Sequence, residues 1–367
     1  MLQKMSVKNF RNFDEWFLFD LSTDKNYEFN SEAISNGIVK HSMVFGQNGS
    51  GKSNIGLALL DLTCHLTDNF IMPSLSQNYL NANNGSNIAE FEYVFKFGDC
   101  VVEYSYGKSD CETAVYECLK INSIICISID RRKSQIATFN MEGAKGLKND
   151  LENSNISAIK YLNSNAVLDS NSINDVFIEF IEFVDGMLFF RTLNRQADYS
   201  GQNIDSKRLS KAIIESDKLN DFETFLNQAG IECKLKISGS SDNKVIAFDF
   251  GEKDIEFSIV ASTGTMSLGI FYYWWLRLDT HKLKFAYIDE FDAYYHHELS
   301  TLIVEKLTNV DCQTILTTHN TSIMTNDLLR PDCYFVLIDG KQYRLHELVN
   351  KDLRKAHNLE KIFKGLK

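Results

Sequence analysis

The sequence predicts an α/β protein built on a parallel sheet, with an antiparallel β-region in its N-terminal part and a helical insertion interrupting the core. Three observations carry that expectation. An apolar run ends at a glycine-rich loop that opens a helical pattern. Aromatic and β-branched residues alternate from Glu90 to Tyr106, and strands alternate with helices in the last third of the chain. At 367 residues, 44% apolar and 24% charged, the chain is long and apolar enough to bury a large core.

The elements follow in order. Residues 2–8 and 15–21 are two short strands around the turn-like Asn9-Phe10-Arg11-Asn12-Phe13. Lys40 to Phe45 is a third strand, and Ser53 to Leu66 carries Ile55, Leu59, Leu62 and Leu66 at helical spacing. Glu90 to Tyr106, broken at Gly98-Asp99, reads as a hairpin, with strand-like segments continuing through Ala137. From 146 to about 230 the pattern is mainly helical: Ile173–Val184 and Leu209–Leu226 are amphipathic, and Gly230 suits a C-cap. Strands follow near Ile231–Ile237 and Lys244–Phe250, around a Ser238–Asn243 turn. Then come helix Ser267–Leu278, strand Leu283–Ile288, helix His297–Leu307 and strand Gln313–Thr317. The chain closes on a hairpin (Tyr334–Leu337 and Gln342–Leu345) and a basic helix. These patterns divide it into residues 1–145, a helical insertion at 146–230, and residues 231–367.

Composition narrows the functional classes. A formal charge of −11 argues against a generally basic nucleic-acid binder. A local strip of Lys207, Arg208, Lys211 and Lys218 keeps a nucleic-acid partner open, although a solvated helix face is the plainer reading. The eight cysteines show no C-x-x-C pair, no secretory signal opens the chain, and no apolar run approaches the roughly 20 residues of a membrane helix. The expectation is a soluble cytoplasmic protein with free thiols and no membrane partner.

Chemistry concentrates in a few stretches. Gly46-Gln47-Asn48-Gly49-Ser50-Gly51-Lys52-Ser53 satisfies G-x-x-x-x-G-K-[ST] between a strand and a helix. Backbone N–H groups of Asn48, Gly49, Ser50 and Gly51 can turn toward a β-phosphate, and the helix adds its positive end. Lys52 would bridge β- and γ-phosphates of ATP, and the Ser53 hydroxyl would hold Mg²⁺. Phe285-Ala286-Tyr287-Ile288-Asp289-Glu290 is an apolar strand ending in two acids. Asp289 fits the cation-holding role, and Glu290 stands where it could orient or deprotonate an attacking water.

Ser262-Thr263-Gly264-Thr265 precedes a helix upstream of that strand, and here the chain resembles ATPases of the SMC, recombination-repair and ABC group. The resemblance implies a P-loop ABC/SMC-type ATPase head in which Ser262 and Gly264 contact the γ-phosphate held by the opposite protomer of a homodimer or higher homo-oligomer. Ala261, Thr263 and Thr265 depart from the transporter consensus, and a plain N-capping turn is the alternative. Gln313 to Asn320 is similar to the group's final strand, which makes His319 a switch histidine sensing the γ-phosphate. Asn9 to Phe13 matches its opening, which makes Arg11 a candidate nucleotide contact. Gln77 is a candidate for the group's Q-loop glutamine by distance alone.

Within the group the chain looks most like compact AAA-type ATPases of prokaryotic defence operons, relatives of the OLD, Septu and PARIS ATPase subunits. The Ile288-Asp289-Glu290-Phe291-Asp292 stretch with His296, the Thr317-Thr318-His319-Asn320 ending, and Arg354 to Lys361 carry that likeness. It implies an ATP-driven switch controlling a separate effector, a nuclease, because no cluster of acids for a two-metal nuclease follows His319. The alternative is a DNA-repair or chromosome-associated SMC/RecF-like ATPase acting on DNA directly.

Overall fold

A computed structural model describes residues 1–68, 73–152, 155–191, 206–240, 243–279 and 283–366. In chain order, β1 (Leu2–Lys8) and β2 (Phe17–Asp20) are followed by the minor pair β3 (Ile34–Ser35) and β4 (Ile38–Val39). Next come β5 (His41–Gly46), α1 (Lys52–Leu66), α2 (Pro73–Ser76) and an antiparallel run: β6 (Ala89–Phe97), β7 (Cys100–Lys108), β8 (Ala114–Ile121), β9 (Ile124–Asp130) and β10 (Thr138–Phe139). Helices α3 (Ala158–Asn165) and α4 (Ser172–Asp185) lead to β11 (Met187–Arg191), then α5 (Ser206–Glu215) and α6 (Leu219–Gln228). Strands β12 (Leu235–Ser240), β13 (Asn243–Asp249) and β14 (Asp254–Glu256) precede α7 (Phe257–Val260) and α8 (Thr263–Asp279). The chain closes with β15 (Phe285–Asp289), α9 (His297–Thr308), β16 (Gln313–Thr318), β17 (Tyr334–Ile338), β18 (Lys341–Arg344) and α10 (Leu359–Lys364).

Two large sheets organise the molecule. A seven-stranded antiparallel sheet has the order β10-β9-β8-β7-β6-β1-β2. A six-stranded sheet has the order β11-β15-β16-β5-β17-β18, parallel from β11 to β17 and closed by the antiparallel β17–β18 hairpin. The expected α/β class with an N-terminal antiparallel region is therefore present. Two of the parallel strands are apolar where they are covered on both faces, Phe285 to Ile288 and Tyr334 to Leu337 being all buried, while β5 and β16 also bury polar residues such as His41, Gln313, Thr317 and Thr318.

Helix α1 lies between the sheets. Thirteen of its fifteen residues are buried, so it has no solvent face and its apolar residues need not form a single stripe. Toward the parallel sheet, Tyr287 donates its hydroxyl hydrogen to the Lys52 carbonyl. Toward the antiparallel sheet, Tyr93 bonds the Ala58 carbonyl at 2.8 Å. On that side Asp61 accepts hydrogen bonds from Tyr79 (3.0 Å), Tyr106 (2.9 Å) and Lys108 (2.9 Å), all buried.

Two local readings differ. Residues 187–191 form β11, the outer strand of the parallel sheet, inside a stretch whose sequence reads mainly as helix. The single amphipathic helix expected over Leu209–Leu226 is two helices, α5 and α6, because Asp217 adopts a left-handed conformation (φ 55°) between them. In the basic strip, Lys211 pairs with Glu215 and Lys218 with Asp221; the side chains of Lys207 and Arg208 lie outside the described residues. All eight cysteines are free, and among the described residues no helix is long and apolar enough to cross a membrane.

Candidate functional site

Parallel β5, β15 and β16 end at one edge of the sheet, the edge where doubly wound sheets bind ligands. The loop after β5 and the start of α1 form there a cleft of about 200 Å³. It is lined by Asn48, Gly49, Ser50, Gly51, Lys52, Ser53 and Asn54 from the loop, with Glu290 and His319 opposite. Residues separated by 240 to 270 positions in the chain thus meet in one space.

The loop is built to present backbone. Gly51 has φ 103°, and a Cβ there would stand 2.9 Å from Asn12 Nδ2 and 3.0 Å from the Phe13 ring. The Asn9–Phe13 turn therefore buttresses the loop from behind, helped by Asn54 Nδ2 donating to Asn12 Oδ1 at 2.6 Å. Lys52 Nζ donates to the loop's own carbonyls, Gly46 O at 2.8 Å and Gln47 O at 3.2 Å. Burial lowers the Lys52 pKa from its usual 10.5, opposed by the charges of Asp289 and Glu290. The Ser50 hydroxyl is buried without a protein hydrogen-bond partner. A buried orphan hydroxyl, a lysine folded onto the loop's own carbonyls and the N-terminus of α1 fit a polyphosphate.

The acids at the end of β15 are held from β16. Asp289, fully buried, accepts from Thr317 Oγ1 at 2.7 Å on Oδ1 and from Arg191 Nε at 3.0 Å on Oδ2. The same Thr317 oxygen accepts from the Glu290 N–H at 2.8 Å, and the Thr317 carbonyl accepts from the Phe291 N–H at 3.1 Å. These bonds hold Glu290 in a left-handed conformation (φ 49°), unusual for a non-glycine residue and of the kind found at functional sites. Glu290 Oε1 stands 4.0 Å from His319 Nε2. Burial, then the nearby Lys52 charge, lowers the His319 pKa from 6.5, against the raising influence of Glu290, Asp292 and Asp289. Ser53 and Asp289 carry oxygens of the type Mg²⁺ selects and are the residues that could hold it.

The remaining candidates lie elsewhere. Ser262 is exposed and caps α8, its hydroxyl accepting from the Thr265 N–H at 3.1 Å. Neither Ser262 nor Gly264 lines the cleft of its own chain. Arg11 is outside the lining as well; its guanidinium donates to the Leu75 carbonyl at 3.4 Å, and burial and the neighbouring Arg191 depress its pKa. Gln77 is exposed in the turn after α2. Sequence reasoning missed Arg191 and the bridging role of Thr317. The apolar run Met187 to Phe190 ahead of Arg191 was the available signal for a buried strand.

A family model described as "AAA domain, putative AbiEii toxin, Type IV TA system" (AAA_21) matches residues 42–325. Similar solved structures include the SMC head domain from Thermotoga maritima, 14% identical over 93% of this chain and 97% of that one, TM-score 0.45. An SmcHead bound to the C-winged helix domain of ScpA is 14% identical over 95% and 99%, TM-score 0.49. A head domain with an extended coiled coil, bound to the C-terminal domain of ScpA and derived from Pyrococcus furiosus, is 12% identical over 94% and 97%, TM-score 0.47. No curated protein matches the chain.

Proposed function

The chain belongs to the AAA_21 family of AAA domains, and from that premise we propose that it binds and hydrolyses ATP as a switch that controls a separate effector. The observation that carries the proposal is the meeting of the phosphate loop, Glu290 and His319 in one cleft at the ends of parallel strands. Lys52 leaves the Gly46 and Gln47 carbonyls for the β- and γ-phosphates, while the Asn48 to Gly51 N–H groups hold the β-phosphate. Mg²⁺, held by Ser53 and Asp289, would neutralise developing charge on the phosphates. Glu290 accepts a proton from the attacking water as its oxygen bonds to the γ-phosphorus; the bond from that phosphorus to the bridging oxygen breaks, and ADP and phosphate leave. His319, whose pKa is lowered by burial and by Lys52, stands beside Glu290 where its ring nitrogen can accept or donate a hydrogen bond.

Ser262 is exposed and Gly264 half-buried at the start of α8, and both are absent from their own cleft, which supports a homodimer in which each completes the other's site. In this reading residues 146–230 form the insertion that responds to the nucleotide, flanked by the two ATPase lobes. The further step, to a nuclease effector in prokaryotic anti-phage defence, rests on the motif resemblance of Ile288 to Asp292 with His296, Thr317 to Asn320 and Arg354 to Lys361, and a cytoplasmic location rests on the free thiols.

The test is Glu290→Gln. It should slow steady-state phosphate release by about 10² to 10⁴ and accumulate an ATP-bound dimer on size-exclusion chromatography with light scattering. Wild-type turnover in the variant would refute the role of Glu290. Affinity purification of that trapped form should retain the effector, and salt-sensitive DNA binding by the isolated chain would point instead to direct action on DNA.

A further inference from the structure

Strand β11 runs parallel to β15 with Arg191 in register with Asp289, so both strand ends deliver their side chains to the same edge of the sheet. Arg191 Nε lies 3.0 Å from Asp289 Oδ2, and Thr317 occupies Oδ1. The Asp289 side chain is fully buried, whereas Arg191 remains 30% exposed. A carboxylate so deep in protein needs a counter-charge, and among the described residues Arg191 is the one that pairs with it directly.

Arginine carries only donors and keeps its charge at any working pH, so a divalent cation brought to the same carboxylate oxygen meets a like charge that repels it. A divalent cation reaching Asp289 Oδ2, directly or through a water of its own shell, meets a guanidinium already there. We infer that Arg191 is a positioning residue that stands in for the cation on Asp289 and gives up that carboxylate when a divalent cation binds. Arg191 ends the strand from which the chain continues toward α5, and it lies near enough to Arg11 for the two charges to repel. Release from Asp289 frees a guanidinium, for which a phosphate oxygen is a matching acceptor.

The inference rests on the nucleotide-site reading, and its test separates the two. The full chain and its R191Q and R191K variants are melted in EDTA and in Mg²⁺ without nucleotide, and binding of a fluorescent ATP analogue is titrated under both conditions. R191Q should melt lower than wild type in EDTA and recover more of its melting temperature on adding Mg²⁺, because the metal then supplies the missing charge. The ratio of nucleotide affinity with Mg²⁺ to that in EDTA should rise by about ten- to a hundredfold, the worth of one charge-assisted hydrogen bond. R191K, which keeps the charge, should follow wild type. Equal Mg²⁺ responses in wild type and R191Q overturn the inference. Should R191Q fail to fold, the R191Q/D289N double variant removes both charges and should fold; its failure to do so overturns the inference as well. A wild-type chain that binds no nucleotide under either condition defeats the nucleotide-site reading alone, since the metal-only melts still test Arg191.

Discussion

His319 lies close to groups of both signs, and its protonation state follows from which influence dominates. Burial and Lys52 disfavour the imidazolium more than Glu290, Asp292 and Asp289 favour it, so the pKa falls below 6.5. The sign for stability follows: between the lowered folded value and 6.5 the unfolded chain binds more protons. Stability from this group is therefore present above 6.5 and is lost as pH falls through the folded value. Titration of the His319 imidazole by NMR should show a midpoint below 6.5, moving upward in Lys52→Ala. A midpoint at or above 6.5 in the wild-type chain would contradict the arrangement of charges around it. At the same scale, Thr317 shows how one hydroxyl can serve two acids, donating to Asp289 and accepting from the Glu290 backbone.

Among the elements, α1 links the nucleotide cleft to the antiparallel sheet. Its N-terminus carries Lys52 and Ser53, and about two and a half turns later Asp61 is tied to Tyr79, Tyr106 and Lys108. The close approach of α1 to the parallel sheet depends on Gly56, where a Cβ would stand 2.4 Å from the Phe189 ring and 2.7 Å from Tyr287. Asp61 and Lys108 are both buried, so removing one leaves the other charge unpaired. Asp61→Asn should destabilise the fold by about 3–5 kcal/mol in urea unfolding, with a further loss of nucleotide affinity as α1 loosens. A variant within 1 kcal/mol of wild type, a margin ordinary for surface changes, would show that the pair is not what anchors the helix.

At the scale of the whole molecule, the cleft of one chain lacks Ser262 and Gly264, which makes function and self-association a single question. Lys52→Ala disables a chain's own phosphate loop, and Ser262→Arg disables what it offers to a partner. Each variant alone should be inactive in ATP hydrolysis. Mixed in equal amounts, they should recover part of the wild-type rate, because the mixed dimer keeps one intact composite site. A mixture no more active than either variant would mean that the sites are not shared between chains.

The residues that touch the cleft were largely legible in the sequence, because phosphate chemistry demands a short local pattern. Gly46 to Ser53 lies between a strand and a helix, and the acids Asp289 and Glu290 end an apolar strand. Such signals are local and survive without tertiary information. The placement of β11 was not legible: Met187 to Phe190 is a short apolar run after a long amphipathic helix, and periodicity over so few residues does not separate strand from helix. The break between α5 and α6 was hidden in the same way, since apolar spacing continues across Asp217. By itself, the sequence determined the class of fold and marked the loop and the two acids as the ends of strands. Only the tertiary structure decided what stands beside them, because the Arg191–Asp289 pair joins residues nearly a hundred positions apart through the register of two parallel strands.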